Sequence, residues 1–310
     1  MAKDEAVEQA VHAARTAVLV VGDEEHSVLR ITGEDRTTWL NGLVTCDLAG
    51  AKVGDAAYGL AVSAKGRVIA DMTIVFRERD ALVVVPRSAA TELRASLEHY
   101  LVMEDAEIDR EIEGFSIFVA HGPRSAEILE AARAAGGYGG LVDATGLGGA
   151  IVLADHSNGT FLAAIAEVTA RVGGVIGSPA AWDALRIERQ VVKFGREFDM
   201  KTYPQEAGLE ARAISFSKGC YLGQEVVCML ELRGHVKRKI VGLKVSSDAL
   251  PSIGAQVFDE SGASVGAVTS ACFSPTNGAI LALAMVKRAA SAAGTHLKID
   301  GSPAEVVEAN

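Results

Sequence analysis

The chain has 310 residues, 49% of them hydrophobic, which is enough apolar material for two or three cores. A net charge of −10 excludes broad electrostatic binding of nucleic acid or of an anionic membrane as the main activity, since both need clustered positive charge. It leaves room for a local basic pocket that takes a small anion.

The N-terminal residues 1–15 read as a polar helical lead-in, with Asp4, Glu5 and Glu8 where a secretory or transit peptide would be basic. The expectation is therefore a cytoplasmic protein. Ala17–Val21 and Val28–Ile31 read as short strands around a charged turn, Gly22–Glu25. Thr32-Gly-Glu-Asp35 has the hydroxyl-to-acid spacing of a helix-capping box, and Trp39, Leu40, Leu43 and Val44 follow at helical spacing. Tyr58–Phe76 reads as a hairpin turning at Ala64-Lys-Gly-Arg67. Its second strand is apolar on both faces except at Asp71 and Thr73, and a carboxylate there must be paired or functional to offset its burial.

Leu82–Val85 is a further strand, and Ser88 is placed to cap a helix carrying Leu93, Leu97 and Leu101 on one face. Ser116–Ala120 reads as a strand and Pro123–Ala135 as a helix. Gly136–Gly149 reads as a loop; its glycines lead into a strand instead of opening a helix, so they do not form a dinucleotide fingerprint. Thr160–Ile165 is predicted to be a strand. Ser178-Pro179 is a strong helix start. In the helix 180–190, Trp182 and Leu185 define the apolar side, Arg186 and Arg189 border it, and Glu188 points roughly away. Those guanidiniums either snorkel to water or meet an anion in a cleft.

Beyond Lys237 short apolar runs alternate with Pro, Gly and Asn turns, the pattern of a small barrel or sandwich. The longest run, Ala279–Val286, is strand-length, and a membrane helix needs ~20 apolar residues. A domain boundary is expected near Gly234. The basic group Arg233, His235, Lys237, Arg238 and Lys239 sits at that joint. Of the four cysteines, none forms a Cys-x-x-Cys, so neither a zinc site nor a disulfide framework is expected.

The densest chemistry is Lys218-Gly-Cys-Tyr-Leu-Gly-Gln-Glu225. It puts a thiol (Cys220), an amide (Gln224) and a carboxylate (Glu225) between and beside two glycines, the composition of a shaped loop. Lys218 would favour the reactive thiolate of Cys220. Cys228 lies eight residues on, and only a turn, for which Gly223 is suited, would bring the two thiols together.

With Tyr203-Pro-Gln-Glu206 before it and the step at Gly234 after it, this motif resembles the YgfZ family, folate-binding relatives of the glycine cleavage T-protein (aminomethyltransferase). The resemblance extends to Ile31–Asp35, Trp39–Thr45, Lys65-Gly-Arg67 with Asp71, and Leu185–Glu188 running on to Phe194-Gly195. It implies a three-lobed α+β protein around a central cavity that holds tetrahydrofolate, with 1–234 as two interleaved α+β lobes and 235–310 as a small β-barrel. It implies an accessory role in the assembly or repair of iron–sulfur proteins, tRNA-modifying enzymes among them, with Cys220 as the functional thiol. The alternative it leaves open is a folate-dependent one-carbon transferase with Asp71 at the folate amines. By the same resemblance Cys220 and Asp71 are candidate catalytic residues, and Tyr58, Asp71, Arg186, Lys218, Tyr221, Gln224 and Glu225 candidate cofactor-binding residues, the motif forming the edge of the folate cavity. The acid that T-proteins place on the pterin ring has no counterpart in His156–Thr160, where the resemblance would put it. One cysteine is too few to hold a cluster alone, so iron–sulfur partners, and no metal, nucleic acid or membrane, are the expected associations.

Overall fold

The computed structural model describes residues 4–109, 114–232, 234 and 236–308; Arg233 and His235 of the basic joint lie outside the described residues. Helix α1 (Glu5–Thr16) starts at Asp4, whose carboxylate accepts from the N–H groups of Ala6 and Val7. Strands β1 (Leu19–Gly22) and β2 (His26–Thr32) flank the charged turn as expected, but they do not pair with each other. The turn crosses from one sheet to another.

The second of these sheets has the order β3-β4-β5-β2-β6, built from β2, β3 (Ala56–Val62), β4 (Val68–Phe76), β5 (Ala81–Pro86) and β6 (Glu107–Ile108). One of its faces carries α2 (Arg36–Asn41) and α3 (Arg87–His99) over Leu29, Ile31, Met72, Ile74 and Val83. No capping box forms at α2: Asp35 is the cap residue without a side-chain cap bond, and its carboxylate accepts instead from Asp105 N–H. Ser88 lies inside α3, one residue past its start.

The other sheet has the order β10-β1-β7-β9-β8, with β7 (Phe115–His121), β8 (Tyr138–Leu141), β9 (Gly149–Asp155) and β10 (Val175–Gly177). Strand β8 occupies part of the glycine-rich stretch read as a loop; Gly139 and Gly140 permit it because a Cβ at either would meet backbone at 2.1–2.5 Å. Helices α4 (Ser125–Ala134) and α5 (Phe161–Arg171) cover the far face. Residues 161–165, expected as strand, begin α5, because Phe161, Ile165 and Val168 recur at helical spacing and are all buried against the sheet.

One face of each sheet packs against the other. Val28, Val75, Leu82 and Val84 pack on Ile117, Ile151 and Leu153. Helix α6 (Pro179–Glu188), capped by Ser178 accepting from Ala181 N–H at 3.3 Å, lies between α1 and the last domain. A short helix α7 (Glu210–Ala213) and α8 (Gln224–Leu232) follow. Strands β11 (Arg238–Val245), β12 (Gln256–Phe258), β13 (Ser264–Ser274), β14 (Ala279–Lys287), β15 (His296–Ile299) and β16 (Ser302–Val307) close a barrel in the order β11-β14-β13-β12-β15-β16. Among the described residues no helix is long and apolar enough to cross a membrane.

Candidate functional site

Where the packing between the two sheets stops, a cavity of about 900 Å³ opens. That volume lies within the usual range of small-molecule sites. Its walls are the inward faces of both sheets, helix α6, the segment 191–196 and Arg212 of α7. Strand alternation explains the polar lining: Asp71 and Thr73 share a face with Val75, and His26 shares one with Val28, so these side chains fall just beyond the apolar contact.

Asp71 is the centre of this lining. Tyr58 Oη donates to Asp71 Oδ2 at 3.0 Å, while Asp71 Oδ1 is buried without a hydrogen-bond partner. Burial raises the Asp71 pKa above the ordinary carboxylate range, against the opposing pull of His26, Tyr58 and Arg212. Burial also raises Tyr58 well above its ordinary value, helped by the Asp71 charge, so its hydroxyl stays a donor. The Arg212 guanidinium stacks over the Tyr58 ring at 4.4 Å, and its Nε is buried without a partner.

His26 and Asp23 form a second titratable pair on the cavity wall, with Nδ1 2.9 Å from Asp23 Oδ1. Burial opposes charge on His26, but the Asp23 hydrogen bond and the charges of Asp23, Asp71 and Glu25 outweigh it and the pKa is raised. At the rim Lys193 pairs with Glu25. Sequence reasoning missed His26, His121 and Arg212. The alternation along 115–121 could have pointed to His121; nothing local marks Arg212, because its role depends on α7 reaching Tyr58.

Arg186 also lines the cavity, but its guanidinium is fully engaged. Nε donates to Asp183 at 2.6 Å, Nη1 to Glu197 at 3.0 Å and to the Val191 carbonyl, and Nη2 to Ser270 Oγ at 2.8 Å. Ser270 in turn donates to Glu197 at 2.6 Å. Arg186 thus clamps α6 and the 191–197 segment onto the barrel, and a contact with a ligand would be made by an already neutralised cation. Among the described residues the barrel supplies none of the lining. Glu188, read as pointing away, is buried and holds Ser274, Thr276 and Arg15. Arg189 donates to the Thr145 carbonyl.

The Lys218–Glu225 motif lies elsewhere. None of Lys218, Cys220, Tyr221, Gln224 and Glu225 lines the cavity, so the reading of these residues as its edge is corrected. Cys220 is exposed and free, and Cys228 is half-buried on α8 and free. Lys218 is not turned toward Cys220. Its Nζ donates to the carbonyls of Asn41 (2.7 Å), Val44 (2.9 Å) and Cys46 (2.6 Å), and burial lowers its pKa. Tyr221 is buried in the core beneath, its hydroxyl unpartnered and pushed up to about 12 by burial. Gln224 and Glu225 start α8, and among the described residues their side chains make no hydrogen bonds. The loop is shaped instead by Lys218, by Leu222 N–H donating to the Gly42 carbonyl, and by Gly223, where a Cβ would meet the Ser63 carbonyl at 2.4 Å. Among the described residues no group of three His, Cys, Asp or Glu side chains is placed to hold a metal ion.

Residues 2–136 match the GCVT N-terminal domain, and residues 238–310 match the glycine cleavage T-protein C-terminal barrel domain. The chain belongs to the glycine cleavage T-protein superfamily. Its similarity to characterised members is full-length but distant. It is 26% identical to an aminomethyltransferase of Corynebacterium jeikeium, covering 95% of this chain and 85% of that protein. It is 27% identical to an aminomethyltransferase of Thermotoga neapolitana, covering 90% and 81%. The crystal structure of the glycine cleavage system aminomethyltransferase T from Bartonella henselae superposes with a TM-score of 0.82 at 20% identity, covering 97% of this chain and 88% of that one. The T-protein fold, barrel included, is therefore shared across that distance.

Proposed function

We propose that the cavity binds a tetrahydrofolate and that the chain carries out folate-dependent one-carbon transfer of the aminomethyltransferase type. The observation that supports this best is Asp71, a buried carboxyl with one oxygen unpartnered on the wall of a folate-sized cavity. An orphaned buried acceptor costs about 1–3 kcal/mol unless a ligand or water completes it, so its position suits a donor brought in by a bound molecule. The orphaned Arg212 Nε points to the same need. Apolar walls from Val21, Val119, Ile151 and Trp182 suit flat rings, and the exposed Arg196 at the rim suits a carboxylate tail. The reduced folate would supply the nitrogens that accept the one-carbon unit. Asp71, with its raised pKa, would hold or accept a proton at those nitrogens, the requirement for a general acid or base near neutrality. The curated relatives being named aminomethyltransferases favours this use of the cavity.

The test is a tetrahydrofolate titration of wild type against Asp71→Ala and Asp71→Asn, followed by a search for methylene- or methyl-tetrahydrofolate from aminomethyl and methylated donors. Binding by wild type, at least tenfold weaker binding by Asp71→Ala, and product that Asp71→Asn abolishes is the expected pattern. Wild type that binds no tetrahydrofolate refutes the reading.

One observation favours a second use of the same scaffold, the YgfZ-type accessory role in assembly or repair of iron–sulfur proteins, tRNA-modifying enzymes included. Cys220 is exposed on a loop that Lys218 Nζ and Leu222 N–H anchor on either side of it, with Phe216 also exposed four residues before it. That suits a thiol offered to another protein better than one acting on the cavity's contents. In a null strain, Cys220→Ser should then fail to restore iron–sulfur enzyme activity while binding tetrahydrofolate normally; full restoration would remove this second role.

A further inference from the structure

His121 closes β7, and its side chain lies on the cavity face together with Val119 of the same strand and Ile151 of β9. The residue is 2% exposed, yet neither ring nitrogen has a hydrogen-bond partner among the described residues, and Nδ1 is completely sealed. Its ring stacks parallel on the indole of Trp182 from α6, with centroids 4.1 Å apart and an interplanar angle of 0°. Burial pushes the His121 pKa down to about 3, with the nearby Arg212 charge acting in the same direction against Asp143. The imidazole is therefore neutral at physiological pH.

An unpartnered buried imidazole is a poor choice for packing alone. The other inward positions of this strand are filled by Ile117 and Val119, which need no partner. Trp182 is only half-buried and joins His121 in lining the cavity, so the stacked pair bridges the sheet wall and the α6 wall. The acids beside the pair are already engaged: the Asp143 carboxylate is taken by the N–H groups of Thr145, Gly146 and Gly148, and Asp183, next to Trp182 on the cavity wall, is paired with Arg186. Residues 156–160, where the resemblance would put a pterin-binding acid, are not part of the cavity wall.

We infer that the His121–Trp182 pair is the subsite for the ligand's heterocycle, with Trp182 as a flat wall and a nitrogen of the neutral imidazole accepting from a ring N–H. The pyrimidinone edge of a pterin has such an N–H. This inference deepens the folate reading and rests on it. It places the polar contact to the heterocycle on a neutral group in place of a carboxylate.

The experiment compares calorimetric titrations of wild type, His121→Phe and Trp182→Leu with two probes, tetrahydrofolate and p-aminobenzoylglutamate, which lacks the pterin. His121→Phe keeps a flat ring against Trp182 but has no nitrogen. It should weaken tetrahydrofolate by roughly 5- to 10-fold, the worth of one hydrogen bond to a neutral group, and leave p-aminobenzoylglutamate unchanged. Trp182→Leu, altered on the other wall, should show the same selectivity. Wild-type tetrahydrofolate binding should change the Trp182 fluorescence. Equal tetrahydrofolate affinity in wild type and His121→Phe overturns the inference and leaves the folate reading standing, as does equal weakening of both probes. No tetrahydrofolate binding by wild type removes the folate reading and this inference with it.

Discussion

Replacing Lys218 by Met separates two roles for the motif lysine. If it serves the thiol, Lys218→Met should slow alkylation of Cys220 and leave stability nearly unchanged. The geometry requires the reverse. Lys218 Nζ donates to three carbonyls at and just beyond the end of α2, those of Asn41, Val44 and Cys46, at 2.6–2.9 Å. Hydrogen bonds to a charged group contribute about 1.5–3 kcal/mol each, and an abandoned buried carbonyl costs about 1–3 kcal/mol. The desolvation that lowers the Lys218 pKa offsets part of this. The three bonds are also not independent, because one ammonium makes them all. A net loss of about 3 kcal/mol is the expected outcome, visible as a lower urea midpoint by circular dichroism at unchanged m-value. The rate of Cys220 alkylation under native conditions should stay within about twofold of wild type, since the thiol is already exposed and the ammonium points away from it. A loss under 0.5 kcal/mol combined with a tenfold slower alkylation would refute the reasoning.

Arg186→Met strands the buried Glu197 carboxylate, and breaking one side of a buried pair costs about 3–5 kcal/mol. The expected drop in melting temperature is about 10 °C, and Glu197→Gln added to Arg186→Met should recover part of it. The pH dependence of stability carries the signature of His26. Its pKa is raised above the ordinary 6.5, so its stabilisation is complete below about that pH and is lost as the pH rises through the raised value. The melting-temperature gap between wild type and His26→Gln should accordingly be wide at pH 6 and narrow at pH 8.5. The two motif glycines should differ. Gly223 has φ +78° and a Cβ there would sit 2.4 Å from the Ser63 carbonyl, whereas a Cβ on Gly219 would meet nothing within 4 Å. Chemical denaturation should show Gly223→Ala losing about 2 kcal/mol or more and Gly219→Ala staying within about 0.5 kcal/mol.

Much of the secondary structure was legible because it follows from local periodicity. The hairpin around Lys65–Arg67, helix α6 behind Ser178-Pro179, and the run of short strands in the barrel are all written in alternation, caps and turn residues. The same local logic marked Asp71 as a carboxylate that needs a purpose. It failed at residues 161–165, where a short apolar run is equally compatible with strand and helix and the burial of Phe161, Ile165 and Val168 on one face decides for helix. At the charged turn 22–25 it placed both strands but was silent on their pairing, because local signals do not say that β1 and β2 join different sheets.

The sequence by itself determined that helices and strands would be followed by a small β-domain, that Asp71 would be buried, and that a thiol-bearing loop would sit between Gly219 and Gly223. Only the tertiary structure decided what these features are near. Cys220 faces solvent while Asp71 faces the cavity. Lys218 spends its charge on three carbonyls some 170 positions earlier in the chain, and Arg186 spends its own on Glu197 and the barrel's Ser270. His121 meets Trp182 across two elements that no short-range pattern connects. The physical reason is one of range: propensity and amphipathicity act over a few residues, whereas the partner of a buried charge or an orphaned nitrogen is set by which distant elements pack together.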